Sequence, residues 1–226
     1  MLSFVGAGNG FVSVWFDQSG NSYNQTQISS ALQPKIVSSG TLVTSNGMTS
    51  IQFDGVDDCL VNVGSGLGTT FSGDDVPCSI LGLFDFSVSQ VSVPVSFARQ
   101  ATSTALEQII FQAINTTTYY AYKRDNSGII KSYSYTPSVY GGQQLITGTS
   151  PGITMRIRRN GIAVLTDSDV NVTTITIDNL TLGALTRNTT NNYYNGKMQE
   201  VIVYNSNQQS NIVGIESNIN TKYSIY

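Results

Sequence analysis

Apolar and polar residues alternate with period two through most of the chain, the spacing of strands that turn one face to a core. FVSVWF (11–16), TSIQFDG (49–55), CSILGLFDFS (78–87), VPVSFA (93–98), EQIIFQAI (107–114) and TYYAYK (118–123) follow it. So do GIIKSYSY (128–135), QLITGT (144–149), ITMRIR (153–158), IAVLTD (162–167), VTTITI (172–177), LTLGAL (180–185) and GKMQEVIVY (196–204). Asn160-Gly161 falls between two such runs and supplies the positive φ angles of a type I′ hairpin. Asp178-Asn179 predicts a second tight connection. One segment keeps helical spacing instead. In NQQSNIVGIESNINTKYSIY (207–226), Ile212, Ile215, Ile219 and Tyr223 share one face, and Gln209, Glu216, Asn220 and Lys222 are assigned to the other.

This order predicts an all-β fold: a two-sheet antiparallel jelly-roll sandwich, one domain over 1–226, capped by a C-terminal helix at about 207–223. No long low-complexity linker and no internal repeat interrupts it. GSGLGTTFSGDD (64–75) lacks the bulk to pack and predicts a mobile loop.

Composition adds the character of the surface. Hydrophobic residues make up 40%, enough for a core, whereas charged residues are only 11%, well under the usual quarter. Ser, Thr, Asn, Gln and Gly fill the difference, so the exterior is polar but weakly charged, suited to neutral ligands such as glycans. The net charge is −3 and basic residues never run beyond pairs (Lys123-Arg124, Arg158-Arg159), which argues against nucleic acid. No apolar stretch is long enough to cross a bilayer, and MLSFVGAGNG lacks the charged-then-apolar order of a signal peptide. Histidine is absent, which removes Ser-His-Asp and Cys-His catalysis and the commonest ligand of zinc, copper and iron. Cys59 and Cys78 leave two readings open, one disulfide or two buried thiols.

Four places carry candidate chemistry. In SVWFDQSGNSYNQTQ (13–27), Asp17 and Asn21 flank Ser19-Gly20. This is the composition of a corner closed by Asx hydrogen bonds, and without a histidine Ser19 has no base. Asp54, Asp57 and Asp58 cluster around Gly55. With Asp17 they are weak candidates for calcium, which takes six to eight oxygens, but their spacing fits a side-chain-capped turn better. Glu200 sits inside the last strand, where a carboxylate satisfied by an arginine or a backbone amide is expected. The tyrosines form the fourth. Tyr120 and Tyr122 share one strand face, as do Tyr133 and Tyr135, and Tyr193 and Tyr194 complete the set of candidate binding residues. If the two strands pair, the rings make either a platform for stacking a sugar or ordinary cross-strand packing. Sequons at Asn24, Asn115, Asn171, Asn179 and Asn188 signify glycosylation only on a eukaryotic secretory route.

GFVSVWFDQSGNSYNQTQ, QPKIVSSGTL, SIQFDGVDDCLV and the closing GKMQEVIVYNSNQQSNIVGIESNINTKY resemble concanavalin A-like lectin/glucanase domains, the laminin G-like jelly rolls of phage and viral structural proteins. The opening also resembles the catalytic domain of arabinofuranosidase B. The likeness covers roughly the first 63 and last 35 residues; the middle shares only strand rhythm. It departs at Cys59, where relatives carry an aromatic residue, and at the start, where relatives have upstream strands. An edge strand supplied by a neighbouring subunit is the expectation if Met1 is the natural start.

The arabinofuranosidase pattern implies an aspartate before the last strand. LGALTRNTTNNYYNGKMQE has Arg187 and Asn188 there, and Glu107 stands in no motif. A retaining glycosidase needs two close carboxyl groups, so no catalytic residue is expected. The resemblance implies a non-catalytic, lectin-like domain on a virion or other extracellular surface. It would bind host glycans or a neighbouring virion protein, with no membrane insertion, no obligatory cofactor (calcium aside) and homo-oligomeric assembly. The alternatives are a purely structural assembly subunit and a glycoside hydrolase of the arabinofuranosidase type.

Overall fold

The computed structural model describes residues 2–64, 66–86, 91–100, 108–113, 119–136, 141–169 and 173–226; residues 2, 108–113, 119, 120, 122 and 167 are described by backbone position. Two antiparallel sheets face each other as a jelly-roll sandwich. One runs, in spatial order, Gly10–Phe11, Lys35–Ser38, Ile51–Asp54, Asn195–Tyr204, Cys78–Phe86, Gly142–Ser150, Thr154–Arg159 and Ile162–Asp169, with Thr41–Leu42 also paired to Lys35–Ser38. The other runs Ile130–Tyr135, Tyr119–Arg124, Gln108–Ala113, Ser92–Ala98, Asn179–Leu182, Leu60–Val63, Gln25–Thr26 and Val14–Trp15. The core lies between them. Phe53, Leu60, Phe84, Phe97, Ile157 and Tyr194 are fully enclosed there, the inward members of alternating runs.

Asn160 and Gly161 both take positive φ and close the predicted hairpin. The predicted connection at Asp178-Asn179 is not a hairpin. Among the described residues of the preceding run only Ile175 bridges, to Gly73, while Asn179–Leu182 is clamped between Leu60–Val63 and Ser92–Ala98. A strand that finds long-range partners on both edges has none left for its sequence neighbour.

The loop predicted over 64–75 contains a short helix, Leu67–Phe71. Its two bulky residues, four apart on one face, are enough to bury it: Leu67 and Phe71 both join the core. Gly68 permits the close approach, since a Cβ there would stand 2.7 Å from the Ile177 carbonyl oxygen.

The closing helix spans Ile212–Tyr223, starting later than the predicted 207 because residues 209–211 form a turn. It covers the outer face of the nine-stranded sheet, where Ile212, Ile219 and Tyr223 pack on Leu81, Leu83 and Leu145. Glu216 was expected on the solvent side, but it is buried and paired with Arg158 at 2.8 Å. Spacing explains this: Glu216 lies four residues after Ile212 and three before Ile219, within the buried stripe. Cys59 and Cys78 are free, buried thiols. Among the described residues no helix is long and apolar enough to cross a membrane.

Candidate functional site

With the helix on one sheet, the face left to consider is the outside of the eight-stranded sheet. Its middle is covered. A small hairpin, Leu185–Thr186 with Thr190–Asn191, lies over the central strands, and Leu185 packs on Val93 and Ala98. Ser96 Oγ donates to the Ala184 carbonyl at 2.8 Å, and Asn179 Nδ2 donates to Thr186 O. Beyond it, Gln108–Ala113, Tyr119–Arg124 and Ile130–Tyr135 continue to the sheet's edge.

Register decides what those strands present. Tyr120 is paired with Gln112 and Ser134, Tyr122 with Ile110 and Ser132, and Arg124 with Gln108 and Ile130. Residues directly opposite in an antiparallel ladder share a face. Ile130, Ser132 and Ser134 are solvent-exposed, whereas Lys131, Tyr133 and Tyr135 are partly buried. Tyr120, Tyr122 and Arg124 therefore occupy outer-face positions, in a grid with Gln108, Gln112, Ser132 and Ser134.

The predicted pairing of the two strands is present, but a single platform is not. Tyr133 and Tyr135 pair with Ala121 and Tyr119 on the inward face and pack against the core. The Tyr133 hydroxyl donates to Asp169 O at 2.6 Å, joining the edges of the two sheets. The register is offset so that Tyr122 meets Ser132 rather than a tyrosine, and a one-residue offset exchanges faces. Tyr194 is also removed from the surface: it is fully buried against Phe53, Phe84 and Phe86, and its hydroxyl donates to Asp85 O and Lys197 O. Tyr193 is half-buried within reach of Cys59 and Asp57; burial, then those two groups, raises its phenol pKa.

Asp17 does close a corner. Its carboxylate accepts from Ser19 N, Ser19 Oγ and Tyr23 N, while Asn24 Oδ1 accepts from Asp17 N. These hydrogen bonds lower its pKa despite opposing burial, the largest single cause. The Asp54, Asp57 and Asp58 carboxylates lie within 4.8 Å of one another, and Asp17 is not in the group. Asp54 Oδ1 accepts from the amides of Val56, Asp57 and Asp58, and Asp58 Oδ2 accepts from Asp54 N. The cluster is thus a turn closed by its own side chains. Glu200 is held by Lys222 of the helix at 3.2 Å rather than by an arginine or an amide. Glu107, Asn115, Tyr140 and Asn171 lie outside the described residues. Of the other sequons, Asn179 is buried, Asn24 is half-buried in the corner and Asn188 is exposed on the hairpin loop.

Sequence reasoning passed over Arg124, noted only as one half of a basic pair. Its signal was present: in YYAYKR it keeps the phase of Tyr120 and Tyr122. Its Nε is shut off from water and has no hydrogen-bond partner.

No family model matches the chain, and no curated protein matches it in sequence. Solved structures do. The CBM40 of Ruminococcus gnavus IT-sialidase, bound to α2,3-sialyllactose, matches with TM-score 0.54 and 12% identity, over 67% of this chain and 87% of that one. The NanB sialidase of Streptococcus pneumoniae matches with TM-score 0.60 and 18% identity, over 73% of this chain and 27% of that one. The botulinum neurotoxin serotype G binding domain matches with TM-score 0.67 and 10% identity, over 91% and 49%. The likeness is one of fold. This chain spans about a quarter of the NanB sialidase and half of the neurotoxin domain.

Proposed function

We propose that this protein is a lectin-like, non-catalytic glycan-binding module whose contact surface is the outer face formed by Gln108–Ala113, Tyr119–Arg124 and Ile130–Tyr135. The observation that carries the reading is the register: it sets Tyr120 and Tyr122 in one grid with two glutamines and two serines. Aromatic rings stack on the apolar faces of pyranosides, and amides and hydroxyls hydrogen-bond their hydroxyls. A sugar-bound CBM40 among the proteins of similar fold adds support. The non-catalytic part rests on how the described carboxylates are spent. Glu200 pairs with Lys222, Glu216 with Arg158, and Asp125 accepts from Ser127, Ile129 and Thr173. The weakly charged, polar exterior suits an outward-facing setting, a virion surface among them, as part of the same proposal.

A role in assembly is the second reading. Ile28 and Val63, on the side of the same sheet far from these strands, are 98% and 55% exposed, apolar side chains that a neighbouring subunit would cover. A glycan array separates the two. Saturable binding that falls about tenfold, near 1.4 kcal/mol, in Tyr120→Ala or Tyr122→Ala at unchanged melting temperature supports the lectin. A folded protein that binds no glycan but forms stable trimers or filaments overturns it in favour of assembly.

A further inference from the structure

We infer that the sugar held on this face carries a carboxylate, received by Arg124. The inference rests on the glycan-binding reading and names the class of glycan. Arg99, Arg156, Arg158, Arg159 and Arg187 each have a partner within the chain. Arg124 has none among the described residues: no ion pair reaches it, and its Nε is buried without an acceptor. Leaving that enclosed Nε unbonded costs stability, of order 1–3 kcal/mol, and the two Nη groups, neither of them enclosed, are the donors a ligand can reach.

The next residue cannot be the missing acceptor. Asp125 Oδ1 accepts from Ser127 N, Ser127 Oγ and Ile129 N within its own turn, and Oδ2 accepts from Thr173 N and Oγ1, which commits both oxygens. Lys123 faces the other way and is enclosed in the core. Arg124 is thus one cation in an otherwise uncharged grid of Gln108, Gln112, Tyr120, Tyr122, Ser132 and Ser134. A single planar guanidinium matches a single planar carboxylate through two parallel N–H···O bonds. A polyanion or a multiply charged phosphate calls for clustered cations, and among the described residues of these three strands the outer-face positions hold one.

Sialic acids and uronic acids share that chemistry, so the test separates them. Titration calorimetry on the full chain uses 3′-sialyllactose, a glucuronate-terminated disaccharide and lactose. One acidic sugar is expected to bind at least about tenfold more tightly than lactose, a difference of about 1.4 kcal/mol. Arg124→Gln should abolish that preference, and Arg124→Lys, which keeps the charge but not the fork, should restore only part of it. Arg124→Met removes the unsatisfied donor altogether, so its melting temperature should equal or exceed that of the wild type, which a structural arginine would not allow. The wild-type preference should shrink as salt rises. Equal affinity for acidic and neutral sugars, or a preference unmoved by Arg124→Gln or by salt, overturns the inference while the glycan reading stands. A folded protein that binds none of the three sugars, and nothing on the array, overturns both.

Discussion

Asp58 lies between the strands Ile51–Asp54 and Leu60–Val63 with 7% of its surface exposed, and Asp54 and Asp57 crowd the same few ångströms. Burial first, and then the charge of Asp54, raise its pKa to about 7; the Asp54 amide and Lys35 pull the other way. The folded state therefore holds this proton more tightly than the unfolded chain, whose aspartate titrates near 4. Between about pH 4 and pH 7 the native state carries the extra proton, so stability falls as pH rises through that window and levels off above it. Three units correspond to roughly 4 kcal/mol at most. Asp58→Asn keeps the acceptor for Asp54 N and removes the ionisation. It is expected to raise stability at pH 7.5 and to flatten the dependence between pH 4 and 7, read from urea midpoints. Parallel curves for the two proteins would show that Asp58 is ionised in the fold at no cost. From the sequence, the Asp-Gly composition announced a turn, but composition carries no information on which of three aspartates is enclosed.

At the scale of elements, periodicity revealed what each segment is more readily than where it docks. The strands around Tyr120 and Tyr133 were legible because alternation is local. Their register was not, because it depends on the partner strand, and it sends Tyr133 and Tyr135 inward while Tyr120 and Tyr122 hold the outer face. The closing helix shows the same division. Ile212, Ile219 and Tyr223 announced its buried stripe, yet polarity alone assigned Glu216 to solvent. Arg158, far away in sequence, makes its burial tolerable: Nε lies 2.8 Å from Oε2, and Nη2 donates to Gly161 O. Removing one partner strands the other, so Glu216→Leu should cost about 3 kcal/mol. Combining Glu216→Leu with Arg158→Met should recover most of it, since an apolar pair of similar volume carries no desolvation penalty. Thermal melts of the two single variants and the double variant check this; a double variant as unstable as the sum of the singles would mean that the pair is not coupled.

The whole molecule is a sandwich dressed unequally, with a helix across one sheet and a hairpin over the middle of the other, and the outer face beside the hairpin is the surface proposed for recognition. A buried cation ties the layers together. Lys123 comes from the eight-stranded sheet, is 1% exposed, and donates to Ser150 Oγ at 3.1 Å and Gly152 O at 2.7 Å, at the end of a strand of the opposite sheet. Alternation in TYYAYKR puts the lysine in phase with Ala121 and the arginine in phase with Tyr120 and Tyr122, but which phase turns inward is decided by packing, and Ala121 and Lys123 are the enclosed pair. Burial lowers the Lys123 pKa, opposed by Cys78 and then Asp75. The unfolded chain therefore binds this proton more tightly, and between the lowered pKa and the ordinary lysine value stability rises with pH. Cys78, whose own pKa burial raises, contributes the opposite slope. Because the two groups are coupled, the comparison is made without the thiol: subtracting the urea midpoints of Cys78→Ala/Lys123→Met from those of Cys78→Ala across pH 7 to 10.5 isolates the lysine. The difference should climb steadily with pH. A flat difference would mean that Lys123 keeps its charge in the core as readily as in water, and that the crossing between the sheets is held by packing rather than by these hydrogen bonds.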